Sequence, residues 1–389
     1  MGRDTRRTAG TVVPAAAAAL ALALGLTACD PSANPQPAGP APSAAGSGAA
    51  QASPSARPPA TGAPHPGGGS SGSAPASPAP SGHTGAAPFA RTGVPWNLDR
   101  LDQRTRPLDG RYAAGADGSG VHVYVLDTGM DLGHAEFAGR ATAGADFVGA
   151  PDTGDCADSS GLGHGTFVAG IIGGRTYGVA PKAALVRVQA IACEEGGGSS
   201  GPGTGAPAAP EASIVKAVEW VTAHAQRPAV VNMSLNLQTR SPALDAAVQH
   251  LVESGIPVVV AAGNFNDDAC GHSPAGAHGA VVVAASTAGD RHWQDTESFG
   301  SGHGSCVDLY APGDQITSAF AGGGTGTSDS AATSWATPHV TGAVALYLSA
   351  HPTATPAQVR TWLTAQADRD VLGAVPPGTP NRLLNTSGL

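Results

Sequence analysis

Two kinds of apolar pattern alternate along most of this chain. Short runs at Val121–Leu126, Ala184–Val188, Ala229–Met233, Pro257–Ala261 and Ala280–Ala285 are mainly apolar, interrupted only by His122, Arg187 and Asn232. A strand with one wet face alternates apolar and polar residues, whereas a strand covered on both faces reads as a continuous apolar run. Longer segments lie between these runs, at His164–Ile172, Ile214–Ala223, Pro242–Glu253, Ser334–Ala350 and Pro356–Ala365, and they read as helices. Strand and helix in turn predict an α/β fold: a doubly wound, mostly parallel sheet with helices on both faces. In such sheets the chemistry gathers at the carboxyl ends of strands.

The N-terminal part follows a different rule. From Asp30 to Pro88 there is no Leu, Ile, Val, Met, Phe, Tyr or Trp, only Pro, Ala, Gly, Ser and a few polar residues. Such a segment buries too little apolar surface to offset its ordering entropy, so it reads as a disordered tether. Before it, Arg3, Arg6 and Arg7 precede an apolar run from Thr11 to Ala28, the pattern of a secretion signal. The ending Leu26-Thr27-Ala28-Cys29 resembles the bacterial lipobox, which implies lipidation of Cys29. The expected organisation is a signal peptide over 1–28, a tether over 29–92 and one folded domain over 93–389. The protein is expected outside the cell, touching the membrane only through its lipid anchor. No folded inhibitory segment is expected before the domain.

Charge and cysteines narrow the function. The formal net charge is −9, from 20 basic and 29 acidic residues, and no basic block follows the N-terminal arginines. Nucleic acid is therefore not an expected partner, because phosphate binding needs clustered Lys and Arg. Apart from Cys29, four cysteines remain: Cys156, Cys193, Cys270 and Cys306. An even number in an exported chain suggests two disulfides, and no pair has the Cys-x-x-Cys spacing that favours zinc.

Candidate chemistry begins with Asp127, in Val-Tyr-Val-Leu-Asp-Thr-Gly. A strand ending in Asp-Thr-Gly suits the paired carboxylates of an aspartic protease, the orienting acid of a serine hydrolase, or a plain turn. The second Asp-Thr-Gly, at Asp152, follows Pro151 with no strand before it, so the paired-carboxylate mechanism is disfavoured and Asp152 reads as a turn residue. Further along, His164 sits between glycines ahead of a small-residue helix, Asn264 follows a buried strand in Ala-Ala-Gly-Asn, and Ser334 opens an apolar helix. Singly, these are a surface His, a turn Asn and an N-cap Ser. Together they place an acid, a base, an amide donor and a hydroxyl at strand ends and helix starts of one sheet. Two Gly-x-Ser-x-Gly matches, at 68–72 and 197–201, lie in Gly/Ser-rich stretches without a strand-to-helix elbow, so an esterase is not indicated.

The blocks VLDTG, GHGTFVAG, AAGN and TSWATPHV, in that order, resemble those of subtilisin-like serine proteases. VPWNLDRLDQR, VVNMSL, SCVDLYAPGDQITSA and PNRLL are similar to the proteinase K and aqualysin branch. The resemblance covers roughly 93–389. It implies Ser334 as nucleophile, His164 as general base and acid, Asp127 as the acid that orients it, and Asn264 in the oxyanion hole. It implies a first specificity pocket walled by Ser234-Leu235-Asn236 and Ala261-Ala262-Gly263, and substrate pairing with segments near Gly196–Ser200 and Ser234–Asn236. It also implies disulfides Cys156–Cys193 and Cys270–Cys306, and a structural calcium held by Asp308 with the carbonyls of His278 and Ala280. Catalysis needs no cofactor, the substrates are proteins or peptides, and a monomer is expected. Departures from the family pattern are Ala332 for Gly, Trp335 for Met, Phe167 for His, Asn236 for Gly, and a Gly/Pro/Ala-rich insertion between Cys193 and Trp220. Ala332 and Trp335 motivate an alternative function, a catalytically weakened binding module of the same fold.

Overall fold

The computed structural model describes residues 89–149, 154–157, 160–193 and 211–389. The signal peptide, Cys29, the tether up to Pro88, Asp152 and most of the insertion lie outside the described residues. So does the Gly196–Ser200 segment expected to pair with substrate.

The elements run in the order β1 (Phe89–Thr92), α1 (Trp96–Asp99), β2 (Arg111–Ala114), β3 (His122–Asp127) and β4 (Ala141–Asp146). Next come α2 (His164–Gly173), β5 (Ala184–Gln189), α3 (Glu211–His224), β6 (Ala229–Met233), α4 (Pro242–Glu253) and β7 (Val258–Ala261). Then follow β8 (Val281–Ser286), β9 (Leu309–Pro312), β10 (Thr317–Ala319) and β11 (Thr325–Thr327). The chain ends with α5 (Thr333–Ala350), α6 (Pro356–Gln366), β12 (Asp368–Arg369) and β13 (Arg382–Leu383).

A nine-stranded sheet, ordered β12-β13-β9-β8-β7-β6-β3-β5-β4, forms the centre. Every neighbouring pair in it is parallel except β12 with β13. The continuous apolar runs are explained by two separate cores. Along β3, Val123 and Val125 pack into the core shared with α2 and α5, while Tyr124 and Leu126 pack into the core shared with α3 and α4. Strand β8 divides the same way, Val281 and Val283 to one side and Val282 and Ala284 to the other. The strand period of two is present, but both faces are dry, so it disappears from the sequence.

Every strand and helix read from the apolar pattern is present, with ends shifted by a few residues. Edge strand β4 was not foreseen. Its sequence, ATAGAD, is mostly exposed and has no large apolar residue.

Strand β3 lies where the winding reverses. The chain adds β5 on one side of it and then crosses over to add β6 on the other. Crevices for ligands form beyond the carboxyl ends of strands at such a point. Asp127 is the last residue of β3. Helix α2 docks directly on that strand end. A Cβ on Gly165 would lie 2.1 Å from the Gly129 carbonyl oxygen and 3.2 Å from the Asp127 Cβ, so only glycine permits the approach.

Candidate active site

The docking of α2 on β3 brings His164, its first residue, to Asp127. His164 Nδ1 lies 2.6 Å from Asp127 Oδ1. Asp127 is fully buried, while the His164 side chain keeps 17% of its exposure. The same carboxylate oxygen accepts the Thr128 N–H at 2.8 Å. Burial lowers the His164 pKa, but the Asp127 charge and hydrogen bond, with Asp155 adding to them, carry it above its ordinary value of 6.5.

Asp155 was not singled out from the sequence. Its carboxylate accepts from the Thr128 hydroxyl at 2.7 Å and from the backbone N–H groups of Thr166 at 2.6 Å and Cys156 at 2.8 Å. It therefore ties the end of β3 to the first turn of α2. Burial is the main cause pushing its carboxyl above the ordinary range; hydrogen bonds to Thr166 and Thr128 oppose this, and the nearby Asp127 charge adds to it. No motif flagged it, because its partners lie on two other segments.

Helix α5 supplies the hydroxyl. From Thr333 to Leu346 every residue is buried except Ser334. Thr333, just before it, donates both its N–H (2.9 Å) and its hydroxyl (2.7 Å) to Asn264 Oδ1. With the oxygen held, the amide nitrogen is the remaining side-chain donor of Asn264. The unpaired N–H groups and dipole of that helix end favour negative charge.

A buried chain of hydrogen bonds sets the position of Ser334. Pro338 stands four residues after it inside α5 and has no N–H, so the Ser334 carbonyl lacks its usual helical partner. The Ser234 hydroxyl takes that place at 2.9 Å. Asn232 of β6 donates to the Ser234 hydroxyl at 3.1 Å, and Thr341 of α5 donates to Asn232 at 2.8 Å. The Ser334 hydroxyl itself donates to the Ser234 carbonyl at 3.3 Å.

The departures from the family pattern are accommodated. Ala332 has φ −161° and ψ 151°, ordinary extended backbone, so the position does not require a glycine's conformations. Trp335 is buried, and its indole N–H donates to the Ser330 carbonyl at 3.1 Å. Its ring meets Phe167 edge-on at 4.6 Å and lies 5.1 Å from the His164 ring. Trp335 and Phe167 thus pack together beside the histidine.

Ser234-Leu235-Asn236 follow β6, and Ala261-Ala262-Gly263 end and follow β7, the neighbouring parallel strand. The two segments therefore leave the sheet side by side. Asn236 Nδ2 donates across to the Ala261 carbonyl at 2.9 Å.

Both disulfides pair as the resemblance implies. Cys156–Cys193 has Cα atoms 5.3 Å apart and Cys270–Cys306 has them 5.4 Å apart.

Asp308, the carboxylate proposed for calcium, already has partners. Asp308 Oδ1 is engaged by Arg360 of α6, with Nε and Nη2 each at 2.7 Å, and Oδ2 accepts the Val282 N–H at 3.0 Å. A guanidinium already stands at the carboxylate that would join the His278 and Ala280 carbonyls, and a divalent cation beside it would meet like charge. The sequence could not reveal this, because Arg360 lies on a helix whose docking is a tertiary event.

No helix among the described residues is long and apolar enough to cross a membrane.

Comparison with known proteins gives consistent neighbours. The chain is 47% identical over 291 residues to an extracellular serine proteinase of Thermus sp. (strain Rt41A), covering 75% of this chain and 66% of that protein. It is 45% identical over 278 residues to alkaline serine exoprotease A of Vibrio alginolyticus, covering 71% of this chain and 47% of that protein. The matched part thus spans less than two thirds of the length of either relative. Among solved structures, a cold adapted subtilisin-like serine proteinase aligns with a TM-score of 0.67 and 42% identity, over 76% of this chain and 99% of that one. The family model for the subtilase family matches residues 118–387, which contain Asp127, His164, Asn264 and Ser334, and the chain belongs to that family.

Proposed function

We propose that the protein is an exported serine endopeptidase that cleaves proteins or peptides. The observation that carries this is the bond between the buried Asp127 carboxylate and His164 Nδ1, at the carboxyl edge of the sheet. Asp127 holds the proton on Nδ1, so Nε2 is the basic nitrogen. His164 Nε2 takes the Ser334 proton as Oγ attacks the scissile carbonyl carbon. The developing oxyanion accepts from Asn264 Nδ2 and from the Ser334 N–H at the start of α5. His164 then gives its proton to the leaving amine, and water releases the acyl group by the reverse sequence. The orientation of Asn264 by Thr333 and the partial exposure of Ser334 among buried neighbours support these roles.

Labelling with a fluorophosphonate probe tests this. The parent is expected to label on one peptide containing Ser334 and to cleave casein, and Ser334→Ala is expected to do neither. A parent that folds but takes no label refutes the enzyme. The binding-module alternative rested on Ala332 and Trp335. No observation at either residue favours it.

Export and anchoring are proposed from residues 1–29. Detergent phase partition tests the lipid: the parent is expected in the detergent phase and Cys29→Ser in the aqueous phase. A parent found in the aqueous phase overturns the anchor. A monomer is proposed for the catalytic domain, and sedimentation velocity checks it.

A further inference from the structure

We propose that Asn236 and Phe265 together fill most of the first specificity pocket, so that the enzyme selects a small residue (Gly, Ala or Ser) on the N-terminal side of the bond it cuts. This rests on the endopeptidase assignment above and deepens it.

The walls of that pocket come from neighbouring parallel strands. Met233 at the end of β6 is paired with Val260 of β7, so the segments that follow start side by side. A substrate side chain has to enter between them. Asn236 occupies that gap: its side chain starts on one wall and its amide donates to the Ala261 carbonyl on the other, at 2.9 Å. At the far end of the second wall, Gly263 adopts φ +99° and leaves only the volume a Cβ would take. Two groups close on that volume. Phe265 ring atoms lie 3.4 and 3.7 Å from the position of a Gly263 Cβ, and the Asn236 Cγ lies 3.7 Å from it. The free volume a glycine leaves is thus already in contact with an amide and a ring.

Neither side chain is free to swing aside. Phe265 stacks on His272 with ring centroids 4.7 Å apart and planes 20° apart. His272 is held in turn: Nε2 lies 2.9 Å from the Asp267 carboxylate and Nδ1 lies 3.2 Å from the carbonyl of Leu237. Leu237 is the residue after Asn236, and its N–H donates to the Ser273 carbonyl at 2.7 Å. The backbone carrying Asn236 and the ring supporting Phe265 are therefore braced by the same segment. A large side chain would have to break the bond from Asn236 to Ala261 and leave a carbonyl unpaired, whereas a methyl or hydroxymethyl group does not reach it. Tyr, Phe or Leu at this substrate position is discriminated against by steric exclusion and by the lost hydrogen bond together.

The test uses the full-length protein and quenched-fluorescence peptides identical except at the residue preceding the cleaved bond. The parent is expected to cleave the Ala peptide with at least tenfold higher kcat/KM than the Phe peptide. Asn236→Gly is expected to shift that ratio toward Phe by tenfold or more, mainly through a lower KM for the Phe peptide, and Phe265→Ala in the same direction. Fluorophosphonate labelling of each variant confirms a folded, assembled site. Parent and variants that label but share one Ala-to-Phe ratio, or a parent that prefers Phe, overturn the pocket proposal alone. A folded parent that does not label overturns the enzyme assignment and this proposal with it.

Discussion

The Trp335 indole lies against the His164 imidazole, with ring centroids 5.1 Å apart and planes tilted by 38°. In the proposed mechanism His164 becomes an imidazolium, and an adjacent aromatic ring stabilises such a cation by about 0.5–1 kcal/mol. Burial pulls the His164 pKa down, the Asp127 charge and hydrogen bond push it up, and the net direction is above 6.5. A general base works only when neutral, so activity is expected to rise through a pH above the ordinary histidine value. Trp335→Met removes the ring contact, and the acid limb of the kcat/KM profile is expected to move down by about 0.5 pH unit. An unmoved limb would show that the indole only packs.

Thr333 turns Asn264 by holding its oxygen with two donors, at 2.9 and 2.7 Å. Asn264→Ala is expected to cost about 3 kcal/mol of transition-state stabilisation, more than a hundredfold in kcat with little change in KM. Thr333→Val keeps the backbone donor and removes the hydroxyl. Its loss is expected to be smaller, about tenfold in kcat. Steady-state kinetics of both variants, and of the double variant, show whether the two act through one another.

His339 is fully buried on α5 and is held as one neutral tautomer. Its Nδ1–H donates to the Trp335 carbonyl at 2.8 Å and its Nε2 accepts from the Asn97 amide at 2.8 Å. Burial is the chief cause that lowers its pKa from 6.5 to about 4. The unfolded chain binds this proton at higher pH than the native one does. The contribution to stability is therefore present above pH 6.5 and lost as pH falls from 6.5 toward 4. For His339→Gln, denaturant melts are expected to show a parent-minus-variant stability that is flat above that window. Across the window the difference is expected to fall by about 3 kcal/mol.

Arg360 holds Asp308, with two nitrogens at 2.7 Å from the same oxygen. The carboxylate is buried and the guanidinium is 44% exposed, so solvent weakens the pair from outside. Arg360→Ala is expected to cost about 2 kcal/mol, because the buried Asp308 carboxylate loses a partner. That corresponds to a melting temperature lower by about 4 °C. The difference between parent and variant is expected to be the same with and without a calcium chelator. If chelation abolished it, calcium and not Arg360 would be the partner of Asp308.

What the sequence determined by itself is local. The apolar runs specify which segments are strands dry on both faces, because strand burial is written into consecutive residues. The blocks around Asp127, His164, Asn264 and Ser334 were legible for a similar reason. Each of these side chains is presented by its own strand end or helix start, and Asp127, His164 and Asn264 each have a glycine within two residues. The partners of those blocks were not legible. Asp155 bridges Thr128 and Thr166, Ser234 completes the helix that Pro338 interrupts, and Arg360 engages Asp308. Ala332 and Trp335 looked like defects when set against the family pattern. In the folded chain one is relaxed extended backbone and the other packs with Phe167. Hydrogen bonds and packing between distant segments depend on how helices dock on the sheet. Only the tertiary structure decided that, because those contacts join residues whose separation along the chain carries no periodic signal.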